Sequence, residues 1–518
     1  MALRRLAAPA YLALWCFFPL AYPLWPSLAV ARGGWSALAP ASWLGLALHL
    51  LVYLGLTLCY LLLTDERRGY PPLAARWAVA LWLLASLALL LAAPHGESHD
   101  LFDYVFRGRM LAEYGLSPLA VTPITIRSRP FASYVSWHDH VDTYGPLWEY
   151  ASASVAAIVG PFARGGNLTM PCPSVAFACD ALAAYLTGYR LLAIGLTGLT
   201  GALIWQIAAR GDLGQVAPGQ ALSRWLLNPL VVIAAGLGAH NELPLTALLL
   251  WSLWLALRRR PLLALLALLL AAHVKLTALL LLPPLLVWLA GARLLARCAL
   301  PSGARPRLAA LASISRTSLD LAAALIIALP ISLALYWPLG GWATLPRMLD
   351  ERGRFLAGSL AHAIYRELIV HNGWAQPDAW RITTQGATLG FGLLALPLLL
   401  LLAWRIYRAR AATAALLLRG CAAVLLAYLA VGAFWFQHWY IVTLAALVAL
   451  LPPGPMRRAL PWLGFGALAA NIVADALGAL PGLTLDRAQL GWVSAIVAFA
   501  PLLLLPWNRR RLPVAPVS

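Results

Sequence analysis

The chain predicts an all-α, polytopic membrane protein with about 11–13 crossing helices and short helices in its external loops. Three observations lead there. The 518 residues are 62% hydrophobic and 11% charged, where a soluble domain carries about 25% charged residues. Apolar runs recur from near 10–30 to near 489–506, many close to the ~20 residues that span a bilayer as a helix. The arginines behind the net charge of +19 gather in short segments between those runs, as positive-inside loops do.

That charge therefore does not point to nucleic acid, because no basic patch interleaved with exposed aromatics lies on a soluble domain. No soluble domain of useful size is present, so 1–518 reads as one membrane-embedded unit. Cysteines at 16, 59, 172, 179, 298 and 421 form no C-x-x-C metal pattern. Cys172 and Cys179 are candidates to pair outside the cell; otherwise the cysteines are small buried hydrophobes. The opening MALRRLAAPAYLALWCFF, with AVA at 29–31, has the form of a cleaved signal. A retained first helix fits better, because spanning segments continue throughout the chain.

Arginine bias sets an orientation. Arg4 and Arg5 place the N-terminus inside, and Arg67, Arg68 and Arg76 place the second loop inside. Residues 94–147 then form the first large external loop and 339–384 the second. Arg258–Arg260 and the five arginines from Arg293 to Arg316 are again internal. Segment 261–290 is thus flanked by internal charge on both sides, which a hairpin of two short helices resolves, with His273 and Lys275 at its tip. Segment 225–257 has the same form, with His240, Asn241 and Glu242 at the tip. Broken helices at membrane depth require burial in protein or a lined cavity.

The chemistry concentrates in the first loop. Asp100, Asp103 and Arg107 share one face of a helix at i, i+3 and i+7. A capping reading makes Asp100 the N-cap and Asp103 the N3 acid. Against it stands the density of neighbours: Glu97, His99, Arg109, His138, Asp139, His140 and Asp142, with Tyr104 and Tyr144. Carboxylates bind sugar hydroxyls and act as bases, and aromatic faces pack on sugar rings, so the loop has the composition of a carbohydrate site. HDHVD at 138–142 also has the imidazole and carboxylate ligands of a divalent-metal set. Lys275 is the sole lysine, and it lies inside an apolar segment. Such a residue snorkels, pairs with an acid such as Glu242, or faces a wet cavity, where an ammonium suits a phosphate. In FWFQHWYIV, Gln437 and His438 stand among Trp439, Tyr440 and other aromatics, as an interfacial belt or a cavity mouth.

DLFDYVFRGRMLAEYGLSP, YGPLWEY, LNPLVV with GAHNE, HVKLTALLLLPPLL and FQHWY, in that order, resemble the motifs of integral-membrane GT-C glycosyltransferases. The likeness is closest to the actinobacterial-type α-mannosyltransferases that use polyprenyl-phosphate-mannose, and covers roughly residues 75–450. Glu242 stands where that family usually has aspartate, His438 where it often has proline, and two extra apolar segments precede the acidic loop. The resemblance implies a GT-C fold in the plasma membrane, with a polyprenyl-phosphate-sugar donor consumed at the outer face and a glycolipid or glycan acceptor. It implies Asp100, or second Asp103, as the catalytic acid, acting as general base with inversion at the anomeric carbon. Arg107, Arg109 or Lys275 would then meet the leaving phosphate. Tyr104, Tyr144, His240, Asn241, Glu242, His438, Trp439 and Tyr440 would line the substrate, and no metal or cofactor is needed if the cations supply the charge. The residues leave the sugar and acceptor open. A transporter or flippase would place ionisable groups near the midplane in two matched halves, but here no internal repeat is seen and the acids concentrate in one external loop. A glycan ligase or polymerase would use an arginine- and histidine-rich external loop, such as Arg347, Arg352, Arg354, His362 and His371.

Overall fold

The computed structural model describes residues 2–24, 27, 42–64, 73–95, 98–165, 179–211, 213, 216–298, 306–480 and 482–503. Arg67, Arg68, Glu97, Cys172 and the AVA segment lie outside them, and the Cys179 side chain is not described. Among the described residues, regular structure is helical, apart from two isolated backbone bridges.

Seven described helices are long and apolar enough to cross a membrane, and six shorter apolar helices accompany them. Their arrangement follows from where the apolar surface lies. Helices α1 (Ala2–Trp15) and α2 (Phe17–Ala21) lean on α3 (Trp43–Thr64) and α4 (Ala75–Leu90). Tyr11, Trp15 and Phe18 are buried there, and the Tyr11 hydroxyl donates to the Leu227 carbonyl at 3.0 Å. Next, α5 (Asp100–Tyr114), α6 (Pro146–Gly165) and α7 (Cys179–Ala208) pack as a layer. Gly108 makes the layer close: a Cβ there would overlap the Tyr189 hydroxyl and the Ser152 carbonyl.

The centre holds α8 (Pro218–Leu226), α9 (Pro229–Gly236), α10 (Glu242–Leu257) and α11 (Pro261–Ala272). A six-residue 3-10 segment, Leu276–Leu281, leads to α12 (Leu282–Cys298). The long α13 (Pro306–Tyr336) follows, then α14 (Thr344–Gly353) and α15 (Leu360–Val370). The chain ends with α16 (Gln376–Ala409), α17 (Ala414–Ala427), α18 (Ile441–Ala449), α19 (Pro455–Ala479) and α20 (Arg487–Leu503). Every residue of α9 and α18 is buried, as an all-round apolar helix requires. The rim is the reverse: only 6% of the apolar window of α16 and 11% of that of α13 is buried. Their exposed residues include Ile326, Leu329, Leu389, Leu393 and Leu400. An apolar, exposed perimeter around a filled centre is the surface of a multi-pass membrane protein.

Both predicted helix breaks are present, but neither forms a tight hairpin. α11 and α12 barely touch each other; α11 lies on α10 and α13, and α12 on α13, α16 and α17. Likewise α10 packs broadly on α7, α11 and α18 rather than on α9. The breaks turn their backbone to other elements instead of back on themselves. At 237–241 the chain bends through Ala239 at φ 48°, and the His240 N–H returns to the Ala234 carbonyl at 3.1 Å. At 273–275 the carbonyls of His273 and Val274 are freed from the helix. They accept from the N–H groups of Leu147 and Gly145, each at 3.0 Å. Gly145 is required for that approach, because a Cβ there would run into the His273 carbonyl.

The two predicted external loops meet at one end of the bundle. Ser117 Oγ donates to the Leu339 carbonyl at 2.6 Å, Arg347 Nη1 to the Ala120 carbonyl at 2.9 Å, and His140 Nδ1 lies 2.8 Å from Glu351 Oε2. The second loop is tied in turn to residues 434–436 by Ala357, which donates to Phe434 and accepts from Phe436.

Gly145→Ala is expected to lower stability by about 1–3 kcal/mol, the range of overpacking, and more if the Leu147 and Gly145 hydrogen bonds are lost with it. Thermal unfolding of the purified protein in nanodiscs checks this; an unchanged midpoint would mean that the break does not need the close approach.

Candidate active site

Helix α5 carries the first part of the site. Its residues from Asp100 to Met110 are all buried, although four of them are charged. Buried charges must be paired or held for a ligand, and the helix separates the two kinds. Asp100 begins the helix rather than capping it: the cap position is His99, and the Asp100 N–H is itself bound by Ser98 Oγ at 3.1 Å. The capping reading therefore fails for Asp100, whose carboxylate is free to face outward. C-terminal to it, Gly115 at φ 64° closes the helix.

Asp100, Asp103, Tyr104 and Arg107 line a cavity of about 520 Å³, counted to its open mouth. The loop that follows supplies Trp137, His140, Asp142, Thr143 and Tyr144. The distant wall comes from α14 and its exit, Arg352 and Phe355, and from Trp435 and Tyr440. Asp100 Oδ2 stands 3.4 Å from the Tyr144 hydroxyl and 3.5 Å from that of Tyr104. Burial, with the charge of Asp100 adding to it, holds both phenols well above their ordinary pKa, so they remain donors. Asp103 differs. Burial pushes its carboxyl well above the usual carboxylate range, the nearby Arg107 only partly opposing this, while Asp100 and Asp142 add to it. Both acids line the cavity; Asp100 is held by two phenols, and Asp103 is held toward its neutral form.

Arg107 braces the loop. Its Nη2 donates to the carbonyls of Trp137 and His140, both at 3.0 Å, and its Nε stands 3.6 Å from Asp142 Oδ2. Arg109, expected at the donor phosphate, does not reach the cavity. It points to the other side of α5, where Nε and Nη2 donate to both oxygens of Glu113 at 3.1 and 3.0 Å and Nη1 donates to the Pro130 carbonyl at 2.9 Å. The rings of Phe131 and Tyr185 cover its guanidinium. The HDHVD run does not converge on one point either. His138 pairs with Asp139 on the surface, His140 turns to Glu351, and Asp142 to Arg107. Among the described residues no three His, Cys, Asp or Glu side chains are grouped to hold an ion.

A second cavity, about 360 Å³ and mostly apolar, adjoins the first. Leu245, Leu249, Leu281, Leu425 and Leu429 line it, with Glu242, Lys275 and Thr443. Tyr440 belongs to both cavities. The predicted Lys275 is here, ion-paired with Glu242 and buried. Its ammonium lies 4.0 Å from the ring centre of Tyr440 and 5.4 Å from that of Tyr144. On the other edge of Tyr440, its hydroxyl accepts from Arg352 Nη2 at 2.8 Å. His240, Asn241, His438 and Trp439 lie next to these groups but line neither cavity. They are a packed layer: His240 stacks on Trp439 at 3.7 Å and 12°, His438 meets both edge-on, and Asn471 reaches the His438 ring at 3.1 Å.

The linear pattern does not single out Trp137, Phe355 and Trp435, although the rings of Phe355 and Trp435 stand 5.0 and 5.4 Å from that of Trp137 at the cavity mouth. It noted Arg352 only as one of several cations in the second loop. Aromatic residues are common in membrane interfaces, so nothing in the linear pattern separates these from a belt.

The family model described as alpha-(1->6)-mannopyranosyltransferase, N-terminal domain, matches residues 20–292. The chain belongs to this mannosyltransferase family. It is accordingly a glycosyltransferase of the GT-C type, and the mannosyltransferase motif region includes α5, Tyr144, the 240–242 bend and Lys275. Arg352, Trp435 and Tyr440 lie beyond the matched segment. No curated protein matches the chain.

Two outcomes test the charge assignments. Removing one partner of a buried ion pair costs about 3–5 kcal/mol, whereas replacing both is nearly neutral. Lys275→Met and Glu242→Gln should each destabilise strongly, and the double variant should recover most of the loss in the thermal midpoint. For Asp103, a folded-state pKa above the unfolded value means that its contribution is intact at low pH and is lost as pH rises. Asp103→Asn should therefore raise the thermal midpoint relative to the parent chain at pH 8 and leave it little changed at pH 4; the opposite trend would show a paired, ionised Asp103.

Proposed function

We propose that the chain transfers a mannosyl group from polyprenyl-phosphate-mannose to a hydroxyl of a glycan or glycolipid, at the outer face of the plasma membrane and with inversion. The observation that carries this reading is the pair of cavities joined at Tyr440. One is polar, rimmed by aromatics and holds Asp100; the other is lined by leucines. A donor with a sugar on one side of a phosphate and an isoprenoid chain on the other has the same division.

In the reaction, the acceptor hydroxyl oxygen bonds to the anomeric carbon while the bond from that carbon to the phosphate oxygen breaks. The electron pair leaves with the phosphate, and the hydroxyl proton passes to Asp100. Attack from the face opposite the phosphate gives inversion. The phenols of Tyr104 and Tyr144 approach Oδ2, which fixes the carboxylate and leaves Oδ1 for the proton. Asp103 is the weaker candidate, because a carboxyl held toward its neutral form already carries the proton that a general base must accept. Trp137, Phe355 and Trp435 offer faces for sugar rings at the mouth. Positive-inside bias supports the outward placement of the first loop.

Loss of a general base costs about 10²–10⁴-fold. Asp100→Asn should lower sugar transfer by that factor, with labelled polyprenyl-phosphate-mannose as donor and membrane lipid extract as acceptor pool, while Asp103→Asn stays within about tenfold of the parent. Equal losses in both would move the base to the pair, and transfer from nucleotide-mannose alone would overturn the lipid donor.

A further inference from the structure

We propose that Arg352 is the side chain that grips the phosphate of the lipid donor and product; this rests on the lipid-phosphate reading above. Three cations border the two cavities: Arg107, Lys275 and Arg352. Arg107 is ion-paired with Asp142, and its Nη2 donates to two loop carbonyls. Lys275, the residue that the sequence singles out for phosphate, is neutralised by Glu242. Arg352 alone of the three has no carboxylate partner among the described residues. Its one hydrogen bond goes from Nη2 to the neutral Tyr440 hydroxyl at 2.8 Å. A guanidinium carries five N–H donors in a planar fork, so this bond leaves donors for a bidentate grip on an anion.

Position agrees with charge. Tyr440 is the residue common to both cavities, so Arg352 stands at the level where a lipid tail ends and its head group begins. The donor phosphodiester carries one negative charge, and its phosphate gains charge as the bond to the sugar breaks. A cation fixed at that point stabilises the transition state more than the bound donor. Lys275, over the other face of the Tyr440 ring, then holds Glu242 and the helix break in place rather than binding the anion. His140 and Glu351, which join the two loops, keep α14 and with it Arg352 over the cavity.

The test is binding of a short-chain polyprenyl phosphate and of the matching uncharged polyprenol, each measured as inhibition of sugar transfer by the protein in nanodiscs. Arg352→Gln should weaken polyprenyl phosphate about 10- to 100-fold, the worth of a hydrogen bond to a charged group, and leave polyprenol within about twofold. Arg352→Lys should recover part of the loss. With the mannosyl donor, Arg352→Gln should lower kcat by more than it raises KM. Unchanged phosphate binding in Arg352→Gln overturns the proposal, as does an equal loss for phosphate and alcohol, which would report a damaged cavity. If the parent chain itself shows no preference for polyprenyl phosphate over polyprenol, the lipid-phosphate reading fails first, and the Arg352 assignment fails with it.

Discussion

The site depends on one backbone arrangement, the pairing of a broken helix with the start of another. Between α11 and the Leu276 segment, the His273 and Val274 carbonyls leave the helical ladder and accept from Leu147 and Gly145. An unpaired carbonyl in a membrane interior costs several kcal/mol, so the break persists only because the N-terminus of α6 supplies donors at that point. The same contact puts Tyr144, one residue before Gly145, beside Asp100 and over Lys275. The first loop, the buried lysine and the acid at the head of α5 are thereby fixed relative to one another by main-chain bonds that no side-chain substitution outside Gly145 directly removes.

Charge is distributed around this joint in an uneven way. Lys275 with Glu242, Arg107 with Asp142 and Arg109 with Glu113 are closed pairs. Each lets a polar helix or bend sit inside protein without a bare ion. Asp100 is left facing phenols, and Arg352 faces a phenol too. The cavity thus presents Asp100 and Arg352, whose charged groups hydrogen-bond phenol hydroxyls. Closed pairs build the enclosure, and three groups without an ion pair among the described residues, Asp100, Asp103 and Arg352, line its interior.

Much of this was legible in the chain. Length, apolar runs and arginine bias gave the membrane class, because lipid solvation imposes segment length and composition directly. The concentration of acids after residue 98 marked α5, and the breaks at 240–242 and 273–275 were visible as polar residues in apolar runs. What the breaks do was not: whether a bent segment doubles back or splays is decided by its neighbours, here α13, α16 and α17. Arg107 and Arg109 are two residues apart and look alike in sequence, but helical geometry turns them to different sides of α5. Arg352 stands among other second-loop cations, and its selection comes from its bond to Tyr440, roughly 90 residues away, and from the contact of its neighbour Glu351 with His140, over 200 residues away in the first loop.

The matched family segment ends at residue 292, inside α12, which runs from Leu282 to Cys298. It contains Asp100 and Lys275 but stops well short of Arg352, Phe355, Trp435 and Tyr440. The border of that N-terminal domain and the border of the cavity thus do not coincide. Phe355, Trp435 and Arg352, all outside that domain, line the cavity beside Asp100, so the compartment is completed only by the second half of the chain.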